Sequence, residues 1–122
     1  MATKAEAINY VNQNFQVDRV NDNLYKAVFT TENNRSQLIF ITFTDEFIRF
    51  DSPFASEEDI NANLVFKILE ESVFGARKIG NMYYLTNLLL IENIDANEIE
   101  DGIRLVAAAA DQLESQVGGD NF

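Results

Sequence analysis

MYYLTNLLLI, Met82–Ile91, is the stretch whose reading decides the fold, because as a strand it is apolar on both faces. Side chains alternate across a strand. Met82, Tyr84, Leu88 and Leu90 therefore point one way, and Tyr83, Leu85, Leu89 and Ile91 the other. A small antiparallel sheet ordinarily buries one face and wets the other. Here both faces ask for a cover, supplied either by helices on both sides or by another molecule.

What flanks this strand fixes its setting. Upstream, Ala76–Ile79 reads as a short strand and Gly80-Asn81 as its hairpin turn. Downstream, Asp95 reads as an N-cap with Glu98 completing a capping box. Ile99, Ile103, Val106, Ala110, Leu113 and Val117 then form one apolar stripe of a long last helix, Ala96–Val117. Ala107–Ala110 gives that helix a slim waist for close approach to a sheet. The long strand is expected at the centre of the sheet, with one face against this helix.

Working further out, Ile8, Val11 and Phe15 mark a first helix over about Lys4–Phe15. Gln16–Asn23 is polar and reads as a turn. Its Asp18–Asn23 is faintly like a calcium loop but lacks the central Gly and terminal Glu. Strands are expected over Leu24–Thr31, Ser36–Thr44 and Phe47–Ser52, joined by turns at Glu32–Arg35 and Asp45-Glu46. Connections this short force an antiparallel meander. The only proline, Pro53, is expected to end that run. Ser56, with Asp59 in the capping-box position, then opens a second helix over Glu57–Val73, closed by Gly75 as a left-handed cap. Its broad apolar sector, which includes Phe66, predicts contact on more than one side. The order α-βββ-α-ββ-α predicts a single α+β domain over residues 1–122, built on one antiparallel sheet. Met1–Lys4 and the tail from residue 117 to 122 are expected to fray.

Composition narrows the function. The chain has 122 residues, 47% of them hydrophobic, enough for one core. It has no Cys and no His, so thiolate chemistry, the commonest general base and the commonest metal ligands are missing. Carboxylates are the remaining catalytic vocabulary. The Glu92, Asp95, Glu98 and Asp101 group reads as a helix start with its first-turn acids rather than as a metal site or an acid/base pair. No enzymatic activity and no cofactor are expected. A net charge of −11 speaks against nucleic acid and anionic lipid as partners. With neither a signal peptide nor a membrane-length apolar run, a cytoplasmic protein is expected.

The arrangement of elements resembles the type III secretion chaperone-like fold and the related YbjN family, described as sensory transduction regulators. The resemblance spans nearly the whole chain. It is most characteristic over FGARKIGNMYYLTNLLLIENIDANEIEDGIRLVAAAADQLE, Phe74–Glu114. It implies a secretion-chaperone-like scaffold and a homodimer that binds an extended segment. The surplus of apolar residues on the long strand points the same way. A protein or peptide partner is expected at Tyr83, Tyr84, Leu88 and Leu90, and dimerisation at Val65, Phe66 and Leu69. The alternative is a signalling module with an apolar pocket for a small molecule between the last helix and the sheet. The basic doublet Arg77-Lys78 either grips an acidic partner segment or guards a short exposed strand.

Overall fold

The computed structural model describes residues 3–30, 35–70 and 72–117. Its elements, in chain order, are α1 (Lys4–Asn14), β1 (Asp18–Asn21), β2 (Leu24–Thr30), β3 (Ser36–Phe43), β4 (Phe47–Ser56), α2 (Ala62–Leu69), β5 (Gly75–Ile79), β6 (Met82–Leu90) and α3 (Ala96–Val117). A single 3-10 turn at Ile91–Asn93 joins β6 to α3. The six strands form one antiparallel sheet in the order β1-β2-β3-β4-β6-β5. This is the expected α+β class, begun and closed by a helix.

All three helices pack on the same face of the sheet. Ala7 and Val11 of α1 and Ile99, Ile103, Val106 and Ala107 of α3 share one core cluster with Tyr25, Ile39, Ile41, Phe43, Ile48 and Phe50. A second cluster joins Val65 of α2 and Ala110 of α3 to Phe54, Ala55, Tyr83 and Leu85. Burial along β3 alternates strictly, every second residue being buried. The sheet thus has one packed face and one with no helix on it. Close approach of α3 to the sheet is set by Gly102, whose absent side chain would stand 2.7 Å from the Phe50 ring. Ala107 and Ala110 are buried beyond it.

Local differences from the expectations have identifiable causes. Asp18–Asn21 is a strand, not a turn: it pairs with β2, and Asp22-Asn23 makes the tight connection, with the Asn21 carboxamide accepting from the Asn23 N–H at 2.8 Å. β4 runs through Pro53 to Ser56. The β3 ladder stops at Asp51, and the Pro53 carbonyl on that side accepts from the Gln37 Nε2 at 2.7 Å. A residue's N–H and C=O share one side of a strand. The N–H that proline lacks therefore falls where no ladder bond was due, beside a bulge between Pro53 and Ala55.

Helix α2 is short. Ser56 and Asp59 do hydrogen-bond, at 2.9 Å, but they close a turn, and Asn61 caps the helix by accepting from the Leu64 N–H. α2 is not packed on two sides: Val65 is its buried residue, while Leu64 and Phe66 are exposed. Gly75 opens β5 rather than capping a helix; among the described residues the glycine with positive φ is Gly80, at 61°, in the β5–β6 turn. β6 ends at Leu90 and lies between β4 and β5, second from the edge and not central. Asp95 accepts from the Glu98 N–H at 2.8 Å, as its cap position requires. Thr3 caps α1 by accepting from the Glu6 N–H, so the chain is ordered by Lys4, and Val117 is the last residue of α3. Most of the Glu32–Arg35 turn and the tail beyond Val117 lie outside the described residues.

Candidate functional site

The face that carries no helix is built from the other set of alternating residues. Cross-strand pairing brings together Leu24, Lys26 and Val28 of β2, Leu38, Phe40 and Thr42 of β3, and Phe47, Arg49 and Asp51 of β4. Thr86, Leu88 and Leu90 of β6 continue the face, with Tyr84 and Met82 opposite Arg77 and Ile79 of β5. None of its large apolar residues belongs to either core cluster. Leu88 and Leu90 are 49% and 58% exposed, and Val28 and Ile79 are similarly open. The Phe40 and Tyr84 rings lie 6.2 Å apart across the intervening strand, within the range of an attractive aromatic pair.

An ionic group sits in the middle of this apolar floor. Asp51 is 3% exposed, although it lies on the face without helices. The Arg49 Nε donates to its Oδ2 at 2.8 Å and the Arg77 Nη1 to the same oxygen at 3.1 Å. A carboxylate so nearly dry is costly unless paired, and the two guanidinium groups meet that cost. The pairing is lopsided, however. Asp51 Oδ1 and the hydroxyl of Thr86, its cross-strand neighbour, are both buried without a hydrogen-bond partner among the described residues. Both arginines remain partly exposed. Each guanidinium has five N–H donors, and Arg49 commits another only to a long 3.4 Å contact with Thr42.

The expected site residues divide between the two faces. Tyr84, Leu88 and Leu90 stand together on the open face. Tyr83 does not join them: it is buried on the helix side, its ring 6.5 Å from that of Phe54. Of the residues expected to dimerise, Phe66 is 68% exposed, whereas Val65 is buried and Leu69 packs against the second core cluster. The doublet Arg77-Lys78 is also split. Arg77 joins Asp51, and Lys78 turns to the other side, where its ammonium is 2.6 Å from Glu57 and 5.8 Å from the centre of the Tyr83 ring. That pairing, chiefly the hydrogen bond to Glu57, raises the Lys78 pKa. The Arg49–Asp51–Arg77 group was not singled out from sequence. The spacing of Arg49 and Asp51, two apart on one strand and so on one face, is the part of it that the sequence carries.

On the helix side a cleft of about 980 Å³ runs between α3 and the end of β2. Phe15, Phe29 and Ile103 are among its apolar lining residues, with Arg35, Arg104 and Asp111 among the charged ones. Arg35 bridges two carboxylates there, donating to Asp111 at 2.8 Å and to Glu114 at 3.0 Å. Among the described residues no group of three or more carboxylates is placed to hold a metal ion. No described helix is long and apolar enough to cross a membrane. No family model, curated protein or solved structure matches the chain.

Proposed function

We propose that the chain is a non-enzymatic protein-binding module whose partner lies on the open sheet face. The observation that carries this reading is the placement of the three described helices on one side, which leaves on the other a largely apolar surface around the Arg49–Asp51–Arg77 group. Contiguous apolar patches of this kind mark interaction sites in folded proteins. Fully burying one large apolar side chain is worth roughly 1.5–3 kcal/mol, so leaving several wet is a cost that a partner would recover. An extended segment suits the surface: among the described residues β5 pairs only with β6, so a strand added along its outer edge would extend the same face. Self-association through the exposed side of α2, at Leu64 and Phe66, completes the regulatory or chaperone-like reading to which the family resemblance points.

The test is affinity capture from the native host with the wild-type chain and Leu88→Asp. Leu88 is half exposed, so the variant is expected to keep its Tm within a few degrees. It should lose the partners that the wild type retains. Identical partner sets would overturn the assignment to this face. Sedimentation of Phe66→Glu against wild type tests the dimer, with the variant expected at monomer mass.

A second reading rests on the cleft between α3 and β2, whose mixed apolar and charged lining suits a small molecule. A metabolite that raises Tm without changing mass, and whose effect is lost in Phe29→Asp, would favour it.

A further inference from the structure

The open face differs from the rest of the molecule in charge as well as in polarity. The whole chain has nine basic and twenty acidic residues. The open face reverses that balance, with Lys26, Arg49 and Arg77 against Asp18 and Asp51. One row of paired residues, Lys26, Phe40, Asp51, Thr86 and Gly75, crosses five strands. Arg49 and Arg77 lie one register step to either side of it, opposite Leu88 and Tyr84. Asp51 engages both guanidinium groups through a single oxygen, which takes one donor from each, and both arginines are partly exposed on an otherwise largely apolar floor.

We infer that the occupant of this face is an acidic segment of another protein, with apolar residues alternating with Asp or Glu. This rests on the protein-binding reading above and names the chemistry of the partner. Its apolar side chains would cover Phe40, Tyr84, Leu88 and Leu90, and its carboxylates would take the spare donors of Arg49 and Arg77. Carboxylate–guanidinium pairs gain strength in such low-dielectric surroundings. A second copy fits less well, because in a two-fold contact the same face would have to supply carboxylates to Arg49 and Arg77, and its acidic strand residues are Asp18 and Asp51, the latter already bonded to both arginines. A basic segment would be drawn to the acidic remainder of the molecule instead.

Three synthetic peptides of about ten residues, sharing one apolar pattern and carrying Glu, Lys or Ser between the apolar positions, test the inference. Binding to the full chain is read by calorimetry and by backbone amide shifts. The Glu peptide is expected to bind roughly tenfold tighter than the Ser peptide, and the Lys peptide more weakly than either at this face. Shifts should concentrate in β4, β6 and β5. Arg77→Gln should bring the Glu peptide down to the affinity of the Ser peptide; Arg77→Lys, which keeps the charge, should restore part of the difference. Equal affinities, or preference for Lys at this face, would overturn the acidic partner and leave the protein-binding reading standing. If no peptide moves the open-face amides and Leu88→Asp turns a dimer into a monomer, the face belongs to a second copy and the inference fails. Absence of both peptide binding and self-association overturns it equally.

Discussion

Gly102 is the residue at which the helix layer and the sheet come closest. An added methyl group would stand 2.7 Å from Phe50 Cε2 and 3.3 Å from Leu89 Cδ1. Phe50 is fully buried. Alanine would gain about 1 kcal/mol in helix propensity, but overpacking a full core costs about 1–3 kcal/mol. Gly102→Ala is therefore expected to be destabilising, by up to about 2 kcal/mol in a urea titration. A stabilised variant would show that the helix can lift from the sheet at no cost. Arg35 presents a different single-residue dependence. Its guanidinium stands between Asp111 and Glu114, the latter 1% exposed, and ties the start of β3 to the far half of α3. Arg35→Met removes the cation from between two near-buried carboxylates. Because Arg35 is itself partly exposed, a loss of about 2–3 kcal/mol, under that of a fully buried pair, is expected in the same titration, and a loss below half of that would mean that other contacts or water hold the carboxylates.

At the scale of elements, the sequence was most legible where pattern and punctuation agreed. The last helix was readable to the residue, because its Asp95 cap and its Ile99, Ile103, Val106, Ala110 stripe give the same boundaries. The β5–β6 hairpin was readable from Gly80. The failures arose where a local signal was real but led elsewhere. Ser56 and Asp59 form the hydrogen bond a capping box predicts, yet the chain makes one turn and begins its helix at a second cap, Asn61. Pro53 was a strand terminator only if its missing N–H faced a neighbour, and a side chain from β3 settles that side instead. β1 escaped because its four residues are all exposed and show no apolar alternation; pairing with β2 makes it a strand.

Across the whole molecule, one-sidedness could be read only in part. Two apolar rows on β6 showed that both faces needed a cover, but not which would go without. That outcome depends on where three helices land together, which is set by packing between α3 and both core clusters. The charged group on the open face was hidden for a similar reason. Asp51 and Arg77 are distant in sequence and meet only because β6 inserts between β4 and β5. Charge also shapes the response of the whole fold to alkali. Tyr10 is raised in pKa by desolvation and by its hydrogen bond to Glu100, and Lys78 by its hydrogen bond to Glu57. A folded-state pKa above the unfolded one gives stability that is complete below the unfolded value and fades as pH rises through the folded one. Unfolding midpoints are thus expected to fall above about pH 10. The double variant Tyr10→Phe, Lys78→Met should flatten that decline. An unchanged slope would assign it to other groups.

The alternation along β6 separates two demands on one short segment of chain. Tyr83 and Leu85 are sealed beneath helices, and the fold depends on them. Tyr84, Leu88 and Leu90, on the same strand but its opposite face, contribute little to that enclosure. A change at the second set would alter what the surface greets while the architecture beneath stays as it is. Recognition can therefore be rewritten, one residue in two, on a strand whose other half must be conserved in character for the protein to fold at all.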